Sequence, residues 1–423
     1  MTTRTSIAIM PLFLFAEIAA AQPISSAFVE RPAPNSAQLL LAASQQPLPR
    51  QAPPALPVAP NPAAPPGFNA PSPTYNFEES NAGIGVPGRF WASGEWLYWA
   101  TSGQSLPALA TASPVGTAAS LAGVLGSPNT ATLFGDRRAN QDFRNGYRLN
   151  AGWWLDDDRT LGVEGDFFFL QNSANAFAAS SDGSQIIARP FVNALTGRPD
   201  AALVSFPGLV AGSLTARAEN QVIGGGINGI GNILGGSSGR VDFLIGYRYL
   251  NVSDEVHLRE DATALTGQGA FAPGLQLQSS DRFATANNFH GGLIGLAAEK
   301  QCGILFFGAR ASVALGANVQ SIDINGSTLA ILPGNLRAAT VGGLLATPAN
   351  IGHFTRTAFA VLPEANLRAG IQLSQQARVF AGYNFLYLSN VVRAGDQIFA
   401  PTSSPKTTDF WAQGFSLGLD LRF

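Results

Sequence analysis

The last nine residues of the chain alternate between apolar and polar side chains up to the final aromatic residue. A period of two places alternate side chains on opposite faces of a β-strand, so this stretch predicts a strand with one apolar and one polar face. Soluble domains usually end in polar sequence that frays, which makes an apolar terminal strand unusual. The apolar positions are Phe415, Leu417, Leu419, Leu421 and Phe423, and the polar ones are Ser416, Gly418, Asp420 and Arg422.

The composition indicates that much of the surface does not face water. Charged residues make up 12% of the 423 residues, whereas soluble domains carry about 25%. No uninterrupted apolar run of about 18 residues or more follows the N-terminus, so membrane-spanning helices are not expected. The formal net charge of −2 provides no electrostatic basis for nucleic-acid binding.

Segments with a period of two recur from residue 90 onward, and long and short connections alternate between them. An even number of strands with this asymmetry is typical of outer-membrane β-barrels, whereas a sandwich would show turns every 8–12 residues or so. The fold prediction is therefore all-β: a closed antiparallel transmembrane β-barrel of about ten strands, with twelve as the alternative. The segments cover residues 90–101, 143–155, 160–169, 214–234, 240–251, 282–299, 303–317, 358–373, 378–392 and 408–423.

A sheet that spans a lipid bilayer has to close, because every backbone polar group in lipid needs a hydrogen-bond partner. The apolar face then meets lipid, and the polar face lines the interior. Tryptophans near the strand ends are expected at the two membrane interfaces, and packing in a soluble core is the alternative. These tryptophans are Trp91, Trp99, Trp153, Trp154 and Trp411.

Charged residues of both signs recur on the face predicted to line the interior. They either line an aqueous pore and set its selectivity, or pair across the lumen and plug it. A barrel of about ten strands is only slightly wider than one of about eight, whose side chains fill it, and this favours plugging. Folding the first hairpin about Asp157 predicts that Arg148 lies opposite Asp166. The predicted interior charges are Glu95, Arg144, Arg148, Glu164, Asp166, Asp242, Arg248, Arg310, Glu364, Arg368 and Arg378.

The chain before the predicted barrel at 88–423 divides into two segments. Residues 1–21 are predicted to be a cleaved secretory signal peptide, with Arg4 before an apolar stretch at 7–15 and alanines at 19–21. Residues 22–87 are a Pro- and Ala-rich linker, predicted to be disordered in the periplasm because such a sequence cannot build a core. Contact of this tail with the cell wall is compatible with its composition, although no motif specifies it.

No residue pattern predicts catalysis, a metal site or a cofactor. The single cysteine, Cys302, excludes a disulfide framework, and the three histidines lack metal-ligand spacing. Outer-membrane proteases need carboxylates and a histidine at the extracellular rim, and Asp254 and Glu255 beside His257 come nearest to that requirement. A solvated loop explains these three residues better, so the chain is predicted not to be an enzyme.

Several stretches resemble known outer-membrane sequences. The C-terminal strand resembles the signal that directs bacterial barrels to the assembly machinery, with Ser416, Gly418, Leu421 and Phe423 at the signal positions. Residues 90–423 resemble the beta-barrel porin-7 family, which is abundant in planctomycetes, although Ala394 stands where that family often has proline. The resemblance rests on residues 95–99 (EWLYW), 246–250 (GYRYL), 381–397 (AGYNFLYLSNVVRAGDQ) and 410–414 (FWAQG).

The family resemblance implies an outer-membrane location and a porin role, without assigned catalytic or binding residues. Combined with the charged interior, it predicts a narrow porin-like channel for ions or small solutes, or a structural barrel with a charge-plugged lumen. The alternative is a surface binding or adhesion protein that acts through its five long loops. The expected partners are outer-membrane lipid and the barrel-assembly machinery, and no cofactor is expected.

Overall fold

The computed structural model describes residues 88–423 except 195, 237, 267–271 and 402. The predicted signal peptide at 1–21 and the linker at 22–87 lie outside the described residues. In chain order the elements are β1 (Phe90–Thr101), β2 (Gln104–Leu106), β3 (Ala110–Ser113), β4 (Ala131–Phe134), β5 (Arg137–Ala139), β6 (Arg144–Trp154), β7 (Leu161–Ser181), β8 (Ile186–Val192), β9 (Pro199–Ser205), β10 (Val210–Gly236), β11 (Gly239–Ala264), β12 (Gln276–Cys302), β13 (Leu305–Ile331), β14 (Arg337–Val341), β15 (Gly352–Gln372), β16 (Ala377–Val392), α1 (Ala394–Gln397) and β17 (Thr407–Arg422).

Ten of the strands in the described residues form a closed antiparallel barrel, in the order β1, β6, β7, β10, β11, β12, β13, β15, β16 and β17. The first and last of these strands pair with each other, which closes the sheet. At this seam Phe423 donates its N–H to the carbonyl of Phe90 at 2.8 Å, and the N–H of Phe90 donates back to Phe423 at 3.2 Å. The predicted fold class and strand number are confirmed, and the alternative of twelve strands is wrong.

The two ends of the barrel differ in their connections. Four short connections, at residues 155–160, 237–238, 303–304 and 373–376, lie at one end, here named the turn end, where β1 also begins and β17 finishes. The opposite end, the loop end, carries α1 and the short strands. Of these, β2 and β5 form one small sheet, β4, β3, β8 and β9 form another, and β14 extends the edge of β13.

The outer face of the barrel is apolar next to the turn end and polar beyond it. On β11, Phe243, Ile245 and Tyr247 face outward and are 40%, 58% and 45% exposed. Asn251 follows the buried Leu250 and therefore faces outward. From Asn251 onward, the outward positions of the same strand are polar. A tilted membrane-spanning strand needs about 9–11 residues, which matches the apolar stretch of β11. Among the described residues, no helix has the length and apolar character that crossing a membrane requires.

The barrel strands continue beyond the predicted boundaries, and this corrects the assignment of long loops. Strands β10 to β13 are 26 or 27 residues long, and most of 252–281 and 318–357, predicted as loops, is strand. In these extensions polar side chains replace apolar ones on the outer face, so the contrast that marked the strands in the sequence disappears. The inner face of the extensions is mixed: Val252, Val256 and Leu258 are 0% exposed, and the buried Asp254 lies between them.

The tryptophans do not all lie at the membrane interfaces as predicted. Trp99 is 1% exposed and Trp154 is 9% exposed, and both face the interior together with Trp91. Trp153 is 57% exposed on the outer face, where Trp411 also lies between the buried Phe410 and Ala412. Strand parity decides the side, because adjacent residues of a strand point to opposite faces. The interface prediction is therefore wrong for Trp91, Trp99 and Trp154.

Candidate functional site in the barrel interior

The inward side chains of β11 show how the interior is layered. From the turn end, Arg240, Asp242 and Arg248 lie in a polar region, and Leu250 and Val252 lie in an apolar layer. Further along the strand come a buried carboxylate at Asp254, a second apolar stretch at Val256 and Leu258, and then Glu260. Polar and apolar layers therefore alternate along the barrel axis.

The polar region surrounds a cavity of about 210 Å³, here named the turn-end cavity. Of the predicted interior charges, all except Arg144 and Arg378 line it. Arg248 bridges it, with Nη1 2.6 Å from Asp166 and Nη2 2.5 Å from Glu364. Arg310 bonds Glu164 on the opposite wall. Opposite charges thus pair across the lumen in this region, because the barrel is narrow enough for arginine side chains to span it.

The predicted pairing of Arg148 with Asp166 is wrong. In the register of β6 and β7, Arg148 lies opposite Phe168, and Asn150 lies opposite Asp166. The hairpin is shifted by two residues because the carboxylate of Asp156 accepts from the N–H groups of Thr160 and Leu161, both at 2.9 Å, and these bonds define a longer turn.

Arg148 instead reaches across the lumen. Its Nη1 donates to Asn384 at 2.8 Å and lies 3.7 Å from Glu95. Asn384 also accepts from Asn366 at 2.7 Å and donates to Ser416 at 3.1 Å. Residues far apart in the chain therefore share one polar network, which pairing within a single hairpin could not reveal.

Glu299 is the centre of the charges nearest the turn end, and the sequence interpretation missed it. Its Oε2 is 2.8 Å from Arg368, and its Oε1 is 2.6 Å from Arg378 and 3.4 Å from Arg422. Residues 291–298 of its strand, β12, are apolar or glycine on both faces, so the apolar–polar alternation that identifies an inward face was absent. Gly308 lies between Arg368 and Glu299 on adjacent strands, and its missing side chain lets Arg368 lie along the inner face and reach Glu299. A Cβ at Gly308 would lie 2.6 Å from Nε of Arg368.

An apolar layer lies beyond the turn-end cavity and excludes solvent from the lumen. Its side chains come from strands around the whole barrel wall and pack in a single cluster. Such close packing resembles a protein interior, and solvent barely reaches the side chains of this layer. The members that are at most 1% exposed include Leu97, Trp99, Phe168, Leu170, Val222, Leu250, Val252, Phe289, Leu362, Leu388, Val391 and Phe410.

Residues 390–401, which comprise the last three residues of β16 and part of its connection to β17, fold into the barrel and are here named the plug segment. It begins at Asn390, whose φ of 55° turns the chain inward, and it contains α1. Val392 donates its N–H to Asn287 at 2.9 Å and accepts from the same amide at 2.8 Å. The N–H of Gly395 donates to Gln104 at 3.1 Å. A Cβ at Gly395 would lie 2.1 Å from a backbone oxygen of Ser105, so this position requires glycine.

A buried ion pair joins the plug segment to the barrel wall. The guanidinium of Arg393 is 1% exposed and binds the carboxylate of Asp254, which is 0% exposed. Asn220 donates to the same carboxylate at 2.8 Å and accepts from Arg144, which the sequence predicted to face the interior. This chain of contacts spans the lumen above the apolar layer.

The loop end is closed by a second set of contacts. Arg189 of β8 is fully buried and binds Asp281 and Glu260. The carboxylate of Asp281 also accepts the N–H groups of Leu345 at 3.0 Å and Ala346 at 2.7 Å. Burial raises the pKa of Glu260, against the opposing effect of Arg189. These contacts fix the loops across the loop end of the barrel.

The one catalytic arrangement considered from the sequence does not form. Asp254 faces inward and binds Arg393, whereas His257 faces outward and lies 3.1 Å from Ser280. Burial and the neighbouring Arg259 lower the pKa of His257. Within the part of the chain that the structure describes, no group of three or more His, Cys, Asp or Glu side chains could hold a metal ion.

The four residues of the C-terminal signal lie on both faces of β17. Ser416 is 1% exposed and faces the interior, and Gly418 also faces inward, against the ring of Phe380. Leu421 and Phe423 lie on the outer face, at the seam with β1. The pattern therefore combines two positions that fit the interior with two that face outward.

Residues 91–423 match the family described as Putative beta barrel porin-7. The chain belongs to this family. Family membership and the closed barrel place the protein in the outer membrane. No curated protein sequence matches the chain. The plug segment carries the Arg393, Gly395 and Gln397 positions on which the resemblance partly rests, so the structure gives those residues a packing role.

Two solved outer-membrane proteins are among the structures to which this chain is similar. The outer membrane protease OmpT from Escherichia coli is 10% identical, with a TM-score of 0.36 over 81% of this chain and 99% of that chain. A Pseudomonas aeruginosa FadL homologue is also 10% identical, with a TM-score of 0.21 over 79% of this chain and 90% of that chain. Neither likeness bears on the function of this protein.

Proposed function

We propose that the protein is a porin-like outer-membrane barrel that is closed in its resting state and does not act as a constitutive diffusion pore. The observation that carries this proposal is the apolar layer, whose wall residues such as Phe168 and Phe289 are 0% exposed. Ions cross an apolar constriction poorly, because water leaves it and the charge loses its hydration.

The plug segment supports a closed barrel independently of the apolar layer. The ion pair of Arg393 with Asp254 and the amide contacts of Asn287 hold the segment across the lumen. A conducting state would require both the plug segment and the apolar side chains to move. The charged turn-end cavity therefore ends blindly, which favours the plugged interpretation over an open channel.

Planar-bilayer conductance of the refolded protein tests this proposal. We expect no discrete current steps from the wild type. We expect steps from a combined variant in which a short Gly-Ser linker replaces residues 393–401 and Phe168 and Phe289 are replaced by alanine. Heat-modifiable migration on gels is the control for correct folding of both proteins.

Each outcome of this experiment has a clear meaning. Frequent steps from the folded wild type would contradict the closed resting state. Silence of the folded combined variant would contradict a porin-like wall and leave a purely structural barrel. Steps from a variant that lacks only the plug segment would contradict the sealing role of the apolar layer.

We also propose that the barrel-assembly machinery recognises the C-terminal strand. The support for this proposal is the location of Phe423 at the seam, where its backbone pairs with Phe90. The last residue is therefore engaged when the barrel closes, and its loss impairs closure and recognition together.

A further inference from the structure

The charges around the turn-end cavity are not evenly distributed. Near its mouth, five guanidiniums face three side-chain carboxylates, which is a formal excess of two positive charges among the side chains. The guanidiniums belong to Arg159, Arg240, Arg368, Arg378 and Arg422, and the carboxylates to Asp242, Glu299 and Asp420. Burial and the nearby Arg422, Arg240 and Arg378 guanidiniums lower the pKa of Arg159, in agreement with a positive potential at this end.

One carboxylate, Glu299, forms ion pairs with three of these arginines, so its single negative charge is shared among them. Arg378 is 4% exposed and is held tightly, with Nη1 2.6 Å from Glu299. Arg422 is held loosely, since its Nη2 lies 3.4 Å from Glu299 and 3.5 Å from Asp420. In the described part of the chain, Arg368 and Arg422 bond protein acceptors through Nη2 alone. Their remaining N–H groups are available to a ligand in the cavity.

The arginines at the mouth are reachable from solvent. The side chains of Arg240, Arg368 and Arg422 are 26%, 32% and 28% exposed. Deeper in the lumen, Arg248 is 5% exposed and Arg310 is 34% exposed. The terminal carboxylate at Phe423 lies on the rim, where it accepts from the N–H of Phe90. This hydrogen bond leaves the negative charge of the carboxylate in place, so counting it reduces the formal excess at this end to one positive charge.

We propose that the mouth of the turn-end cavity binds a small phosphate-bearing anion between Arg368 and Arg422. Guanidinium groups recognise phosphate through paired, charge-assisted hydrogen bonds. Arg368 and Arg422 both reach Glu299, and their remaining N–H groups offer several such donors beside it. The cavity volume of about 210 Å³ admits a phosphate with a small organic group, and the apolar layer stops the ligand from passing further. The site requires no conduction and is independent of the closed state proposed above.

Isothermal titration calorimetry of the refolded full chain in detergent with inorganic phosphate tests the proposal. We expect saturable binding in the wild type, and a parallel titration with sodium chloride controls for general screening of charge. Replacement of one ligating arginine, in Arg422→Gln or Arg368→Gln, should weaken phosphate binding about tenfold or more, because each loses charge-assisted hydrogen bonds.

Three further variants separate the site from effects on folding. Gly308→Ala places a Cβ 2.6 Å from Nε of Arg368 and should weaken binding without a change in charge. Glu299→Gln removes a competing carboxylate and should strengthen binding. Arg217→Gln, on the outer face and 59% exposed, is the matched control and should leave binding unchanged.

The outcomes are distinct from those for the closed barrel. Absence of saturable phosphate binding by the folded wild type at about 10 mM would overturn the proposed site, as would equal heats from phosphate and chloride. Unaltered affinity in folded Arg368→Gln, Arg422→Gln and Gly308→Ala would overturn it as well. If the arginine variants fail to fold, a higher affinity of Glu299→Gln than of the wild type supports the site, and a lower or equal affinity contradicts it.

Discussion

Loss of one partner of the ion pair between Arg393 and Asp254 should cost much more stability than loss of one partner of an ion pair on the surface. Both side chains are at most 1% exposed, so loss of one partner leaves a buried charge without its counterion. Breaking such a pair costs about 3–5 kcal/mol, whereas an exposed pair is worth about 0–1 kcal/mol. Arg393→Met keeps most of the volume of the side chain and removes its charge, which isolates the electrostatic part.

The structure places the expected cost at the lower end of that range. After the substitution, Asp254 still accepts from Asn220 at 2.8 Å, and Arg144 remains one hydrogen bond away through the same amide. We therefore expect Arg393→Met to lower the free energy of unfolding by about 3 kcal/mol. The loss should be largest in the plug segment, so amide exchange at Val392 and Gly395 should accelerate before the barrel unfolds.

Urea unfolding in lipid vesicles, followed by gel mobility, measures the change. A double-mutant cycle with Asp254→Asn should give a coupling energy of about 2 kcal/mol or more, since the double variant no longer buries an unpaired charge. Arg217→Met, which breaks the exposed pair with Glu219, is the matched control and should change stability by less than about 1 kcal/mol. Effects of the two buried substitutions that add within about 0.5 kcal/mol would refute the reasoning.

Three other perturbations test the seam, the first turn and the lipid-facing band. Deletion of Phe423 should reduce the heat-modifiable fraction assembled in membranes, because Phe90 loses its 2.8 Å and 3.2 Å backbone bonds, and unaltered assembly would argue against a role for this residue. The hydrogen bond from Thr160 is the main cause that lowers the pKa of Asp156 from 3.8 to about 2, so the stabilisation of the turn is complete above pH 3.8 and is lost as pH falls through about 2. Asp156→Asn should be less stable than the wild type at neutral pH, and a stability difference that persists unchanged in acid would contradict this. Leu149 is 64% exposed in the apolar band, and Leu149→Arg should lower the free energy of unfolding in vesicles by about 2–4 kcal/mol. Thr355→Arg, on the polar extension, should change it very little. Equal losses from the two substitutions would show that the apolar band has been assigned to the wrong residues.

The strand pattern was predictable because the membrane imposes it on every strand. Lipid on one side and a polar interior on the other produce strict alternation near the turn end, as in 378–392 and 240–251. Beyond the apolar band both faces change character, and the alternation no longer signals a strand. The predicted loops at 252–281 and 318–357 were therefore mostly wrong, although the same strands continue through them.

The interior charges were predictable as a class. Adjacent residues of a strand face opposite sides, so a charged residue between outward apolar residues faces the lumen. Their pairing was not, as Arg148 and Asp166 show, since a shift of two residues in one turn changes every partner along the hairpin. Glu299 was missed for a different reason, because residues 291–298 are apolar or glycine on both faces of β12 and parity could not be assigned.

By itself, the sequence determined that the chain forms a ten-stranded antiparallel barrel with an apolar outer band, because alternation and turn lengths are local properties. Only the tertiary structure decided what fills the lumen. The apolar layer draws its side chains from strands around the whole wall, and the plug segment looks like an ordinary loop until Asn390 turns it inward. Contacts across the lumen join residues as distant as Arg393 and Asp254, and no period along the chain records which of them meet.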